Sequence, residues 1–200
     1  MEHLESICVY CGSSNGLNPA YGKAALSLGK QMAENNIRLV YGGGSIGIMG
    51  IIANAVLDNG GQVTGIIPDF LKEKEVMLEG SHELIVTQNM HERKQLMFEK
   101  ADAFVALPGG IGTLEELVEV ITWAQLGRHN KPILLANIDG FWNPLKTLLQ
   151  HMHGEKFIHE ENGIDYLVAE TTEEVIPLLS KRATQNAQNS ETPLFHIERY

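Results

Sequence analysis

Glu116 closes the run Pro108-Gly109-Gly110-Ile111-Gly112-Thr113-Leu114-Glu115-Glu116. Three glycines in four positions let a ligand approach the main chain closely. Residues 103–107 before them are apolar, and a helical pattern opens at Thr113. A strand, a glycine turn and a helix start aim backbone N–H groups and the positive end of a helix dipole at an anion. A carboxylate in the helix's first turn then sits beside whatever those amides hold. That combination suits chemistry on a phosphorylated sugar. Glu116 also has a plain structural reading, because Thr113-x-x-Glu116 matches a capping box. The glycine-rich surroundings put catalysis first, with capping as a second role in the empty protein.

A second cluster is Met90-His91-Glu92-Arg93-Lys94, at the start of another helical stretch. Arg93 shares a helical face with Met90 and Met97, so it points partly inward. Either its stem covers the core while the charge reaches water, or its guanidinium holds a phosphate by paired hydrogen bonds over the strand ends. Lys94 points about 100° away; it is solvated, or touches a ligand only at the rim. Two more loops follow strand-like runs: Cys11-Gly12-Ser13-Ser14, and the glycine-rich stretch from Tyr41 through Gly43, Gly44 and Gly47 to Gly50. One such loop is ordinary turn chemistry. Three on one sheet edge imply a ligand, for which Ser13, Gly43 and Gly44 are candidate contacts; Ser13 and Ser14 can equally cap a turn.

Other motifs compete less well. Gly42-x-Gly44-x-x-Gly47, with Asp69 about 20 residues on, matches the dinucleotide fingerprint in form. It follows the second strand, however, where that fingerprint belongs after the first. A nicotinamide-dependent oxidoreductase is therefore the runner-up. A P-loop is excluded, since Ala24 follows Gly22-Lys23 and Leu17 stands at the upstream glycine position. Cys8 and Cys11 form a Cys-x-x-Cys within and at the end of an apolar strand, which predicts buried thiols rather than a redox pair. The scattered histidines, His151 and His153 included, lack partners at metal-ligand spacing.

The elements that must position these groups are legible as an alternation. Residues 6–10, 38–41, 62–67, 83–87, 103–107, 132–136 and 166–169 read as strands. Helical patterns near 19–35, 47–59, 90–101, 113–126, 141–153 and 172–180 separate them. Strands joined by helical crossovers predict a parallel sheet covered on both faces. The expected fold is α/β: a single-domain, Rossmann-like, doubly wound sheet of about seven strands, with ligands at the strands' carboxyl ends. Asn18-Pro19 marks a capped helix start. Residues 183–193 are polar and read as a structureless tail, dividing the chain into a catalytic domain at 1–182 and a tail at 183–200. The tail's end, Leu194-Phe195-His196-Ile197, is apolar again. The pattern after the glycine turn is apolar on more than one stripe, at Leu114, Leu117, Val118, Val120, Ile121, Trp123, Ala124 and Leu126, which favours a homodimer.

Composition bounds the rest. Two hundred residues, 44% hydrophobic and 20% charged, make a globular chain with a real core. A net charge of −10 argues against nucleic-acid partners. No apolar run approaches the ~20 residues needed to span a bilayer, and the acidic N-terminus is not signal-like, so the cytoplasm is the expected location.

Taken together, Met90-His91-x-Arg93-Lys94 and Pro108-Gly109-Gly110-x-Gly112-Thr113-x-x-Glu116 resemble the signature of the Lonely Guy family, the cytokinin riboside 5'-monophosphate phosphoribohydrolases often mislabelled lysine decarboxylases. The resemblance runs over about residues 6–180. It takes in Cys-Gly-Ser-Ser after the first strand, Tyr-Gly-Gly-Gly after the second, and Thr122-Trp123-Ala124-Gln125-Leu126-Gly127. It implies a dimeric Rossmann-like hydrolase that needs no cofactor or metal and cleaves the N-glycosidic bond of a nucleoside 5'-monophosphate, AMP or its N6-substituted form. It also implies Arg93 and Glu116 as the essential pair. Implied substrate contacts are Lys94, Thr122 and the loop Gly110, Ile111, Gly112, Thr113, Leu114, Glu115 and Glu116, and Gly109 in the same turn is a further candidate contact. Glu75 aligns with a substrate-contacting glutamate, although Lys72-Glu73-Lys74 and Val76-Met77 differ from the usual loop, which leaves the choice of base open. A nucleotide carrier without catalysis is the alternative. Decarboxylation fails on chemistry, because pyridoxal phosphate needs a Schiff-base lysine and an acidic partner for its ring nitrogen, and no such pairing is visible.

Overall fold

The computed structural model describes residues 4–71, 82–158 and 163–191. Within them, seven strands form one sheet: β1 (Ser6–Tyr10), β2 (Arg38–Tyr41), β3 (Val63–Pro68), β4 (Glu83–Thr87), β5 (Ala103–Ala106), β6 (Ile133–Ala136) and β7 (Leu167–Ala169). Their order is β4-β3-β2-β1-β5-β6-β7, with every neighbouring pair parallel. The chain winds outward from β1 on one side, then returns to place β5 against β1's other edge. The order therefore reverses between β1 and β5, and ligands of such sheets bind at that crevice.

Among the described residues, six α-helices cover the two faces: α1 (Pro19–Glu34), α2 (Gly47–Asp58), α3 (Met90–Glu99), α4 (Ile111–Gln125), α5 (Asn143–Gly154) and α6 (Val175–Glu191). The alternation of side chains along each strand sorts the core into two layers. Ile7, Val9 and Cys11 join Leu28, Ile52 and Leu179 on the face of α1, α2 and α6. Cys8, Tyr10 and Phe104 join Met97, Leu117 and Trp142 on the face of α3, α4 and α5. Cys8 and Cys11 thus lie on opposite faces as buried free thiols, consistent with the expectation of core cysteines.

The α1 start is as the sequence implies: Asn18 accepts from the Ala20 N–H, and Pro19 is the first helical residue. Two boundaries need correction. The glycine turn is shorter than expected, and α4 begins at Ile111 with Gly110 as N-cap. Thr113 is therefore inside the helix and makes no capping box, and Glu116 is the sixth helical residue, in the second turn. Glycine at 110 and 112 costs helix propensity, which hides this start from pattern reading. The second correction concerns the polar stretch from 183. It continues α6 to Glu191 instead of leaving the fold, with Ala183 buried on the core and Asn186 Nδ2 bonded to the Asn130 carbonyl. Residues 192–200, with the apolar end of the tail, lie outside the described residues.

Candidate active site

Three loops interlock over the β1–β5 switch point. The Gly12 N–H donates to the Pro108 carbonyl (3.2 Å), and the Met49 N–H donates to the Gly12 carbonyl (3.2 Å). The loops after β1, β2 and β5 are thereby one backbone unit. A cavity of ≈ 270 Å³ opens above them, with Cys11, Gly12 and Ser13 from the first loop, Gly42 from the second, Met49 from the first turn of α2, and the opening turn of α4. Gly110, Ile111, Gly112 and Thr113 all line it, and among the described residues no side chain caps the first N–H groups of α4. First-turn N–H groups have no intrahelical acceptor. They and the helix dipole give the cavity an anion-binding wall.

Arg93 and Glu116 face each other across this space, with Arg93 Nη1 3.4 Å from Glu116 Oε1. Both are buried, at 8% and 9% exposure. Arg93 is held by its Nε–H, which donates to the Ile66 carbonyl of β3 at 3.1 Å. Inward orientation of Arg93 therefore serves the cavity and not a snorkelling stem. Burial pushes the Glu116 carboxyl up to about 7, against the lowering influence of the Arg93 charge. Glu115 and Glu119 add to the rise and Lys94 opposes it. A carboxyl poised near neutrality in a cleft, beside a fixed cation, is the arrangement acid–base chemistry requires.

The remaining sequence candidates separate. Ser13 and Gly110 through Thr113 border the cavity. Gly109 packs beneath them against Gly12 and Thr113. Gly43 turns against Ile67 of β3, and in that loop it is Gly42 that borders the cavity. Leu114 packs on the α3–α5 core layer. Glu115 turns outward to Lys94, whose Nζ donates to Glu115 (2.6 Å) and Glu119 (3.0 Å). Lys94 thus spends its charge on two carboxylates of α4 and is not among the residues that line the cavity. Burial works against its charge, but the two carboxylates outweigh that and raise its pKa. Thr122 is exposed on α4, about 9 Å along the helix from Glu116, its hydroxyl donating to the Val118 carbonyl. Glu75 lies outside the described residues. Gly42, Met49 and Cys11 were missed in the sequence, where nothing marks a first glycine after a strand, or a thiol at a strand's end, as facing a ligand.

These features define a class: a doubly wound α/β protein with an anion cradle at the switch point and a buried guanidinium–carboxylate pair beside it. The family described as possible lysine decarboxylase matches residues 49–179. The cytokinin riboside 5'-monophosphate phosphoribohydrolase LOG of Oryza sativa subsp. japonica is 51% identical over 170 residues, covering 85% of this chain and 70% of that protein. The cytokinin riboside 5'-monophosphate phosphoribohydrolase LOG7 of Arabidopsis thaliana is 52% identical over 155 residues, covering 78% of this chain and 71% of that protein. The chain belongs to this phosphoribohydrolase family. Among solved structures, the Moco carrier protein of Chlamydomonas reinhardtii shares the fold, with TM-score 0.68 and 20% identity over 90% of this chain and 98% of that one. The molybdenum cofactor binding protein of Rippkaea orientalis does so at TM-score 0.64 and 23% identity, covering 88% and 95%.

The decarboxylase description does not fit the site. Among the described residues, no lysine lines the cavity. Lys94, nearby, is locked as a cation by two carboxylates, whereas a Schiff-base lysine must lose its proton.

Proposed function

We propose that this protein hydrolyses the N-glycosidic bond of a cytokinin riboside 5'-monophosphate, releasing the free base and ribose 5-phosphate. The observation that carries this reading is the buried Glu116 carboxyl, facing Arg93 beside the N-terminal amides of α4. The relatives at about half identity are named for this reaction. Cleavage develops positive charge on the ribose ring, as in glycoside hydrolysis. Glu116 as carboxylate stabilises that charge and orients or deprotonates the water whose oxygen bonds to C1′, while the departing base takes a proton. The α4 amides and Arg93 hold the 5'-phosphate, so that binding energy remote from C1′ positions the reacting carbon. Arg93 and Glu116 are the proposed catalytic residues. Ser13, Gly110, Ile111, Gly112 and Thr113 are the proposed contacts, with Gly109 supporting them from below.

Products test the reading. Incubation with AMP and with an N6-isoprenoid AMP should yield free base and ribose 5-phosphate in equal amounts. Intact nucleotide would leave a carrier instead, and absorbance change of an added nicotinamide cofactor would leave an oxidoreductase. We also propose a homodimer through the outer face of α4. Ile111, Val118 and Leu126 are exposed there at 83%, 41% and 69%, and they recur at helical spacing on one stripe with Thr122. Sedimentation should show two chains per particle, and Val118→Lys with Leu126→Lys should leave one.

A further inference from the structure

We propose that Gly42 is a positioning residue for the Arg93–Glu116 pair, its missing side chain being the seat of the guanidinium. The inference rests on the reading of that pair as catalytic. Gly42 borders the cavity just past the end of β2. Its own backbone does not call for glycine. Gly43 and Gly47 have φ of +82° and +64°, whereas Gly42 is outside the left-handed region. What excludes a side chain is Arg93. A Cβ on Gly42 would stand 2.2 Å from Nη2 and 3.5 Å from Cζ of Arg93, with Met49 Sδ at 3.2 Å. Non-bonded atoms settle near ~3.5 Å, so even a methyl group overlaps the guanidinium.

Beside its opening to the cavity, the guanidinium is set by three neighbours. Its Nε is tied to the Ile66 carbonyl at 3.1 Å, and its Nη1 lies against Glu116 at 3.4 Å and Met90 Sδ at 3.8 Å. Gly42 lies against Nη2. Any rotation that clears a methyl group at 42 must give up the strand carbonyl or the carboxylate. The overlap is with the far end of a side chain, so the backbone can stay where it is and the effect falls on the pair. Gly47 behaves differently. A Cβ there would stand 2.3 Å from the Ser13 backbone carbon, so a substitution at 47 strains the fold itself.

Gly42→Ala is therefore expected to fold and melt close to wild type while losing about 10- to 100-fold in kcat, the scale of a misplaced catalytic group. The pH midpoint of its acid limb should move upward, because the cation that lowers the Glu116 pKa has been displaced. The discriminating experiment is a double-mutant cycle. In an Arg93→Ala background, adding Gly42→Ala should cost less than about 2-fold, because the group it displaces is gone. Costs that multiply independently would overturn the proposal. So would a Gly42→Ala enzyme with weaker nucleotide binding but an unmoved pH midpoint, which would make Gly42 a direct ligand contact. Carbon-13 titration of the Glu116 carboxyl in both proteins needs no turnover. If wild type releases no base the catalytic reading fails, yet an unchanged Glu116 midpoint in Gly42→Ala still refutes the positioning role by itself.

Discussion

Glu116→Gln is expected to lower the rate of base release by ~10²–10⁴-fold, the usual cost of removing a positioned acid–base group, without lowering the melting temperature. The two halves have one cause. Burial raises the Glu116 carboxyl from its ordinary value of 4.5 to about 7. A carboxyl whose folded pKa lies above its unfolded value favours folding only while it is protonated, and that contribution fades as pH rises from 4.5 through 7. A shift of this size corresponds to an order of magnitude of about 3 kcal/mol at alkaline pH. Glutamine keeps the shape and never ionises, so above pH 7 the variant should melt at or above wild type. The wild-type rate should rise through a midpoint near 7 as the carboxylate forms. Calorimetry from pH 5 to 9, beside a product assay over the same range, checks all of this. A variant that releases base at the wild-type rate would falsify the catalytic assignment.

Arg93→Ala is expected to cost about 10²-fold or more in kcat/KM for nucleoside 5'-monophosphates and much less for the matching nucleosides, since only the former offer the phosphate the guanidinium holds. Equal losses for both would remove the phosphate-holding role. The variant should also carry a mark that a pure phosphate anchor lacks. The Arg93 charge lowers the Glu116 pKa, so its removal lifts the midpoint further and moves the acid limb toward alkaline pH. Breaking a buried pair from one side typically costs ~3–5 kcal/mol. Here the stranded carboxyl can protonate, so the stability loss should be small at pH 6 and grow above pH 7. Melting curves at the two ends of that range separate this from a general packing defect.

Much of the architecture was legible because apolar runs of four to six residues alternating with amphipathic stretches leave a parallel sheet few other solutions. The strands at 6–10, 38–41 and 83–87 have the boundaries the pattern implies. Errors collect where local chemistry is ambiguous. Gly110 and Gly112 look like loop and are the cap and second residue of α4, while the polar residues after 183 look like tail and extend α6. A packed helix end outweighs weak propensity, and a sequence window does not contain the surface it packs against.

Residue types and spacing alone determined that this chain would carry glycine turns ahead of helices, an inward arginine on α3 and a glutamate early on α4, since these follow from helix and strand periodicity. Tertiary structure alone decided which of them meet. Strand order puts β1 beside β5 and brings the loops of β1, β2 and β5 together. Lys94, one residue from Arg93, is sent away to Glu115 and Glu119, while Gly42 becomes the floor under a guanidinium 51 positions further along the chain. The physical reason is that burial sets the Glu116 proton affinity, and burial belongs to the assembled layers.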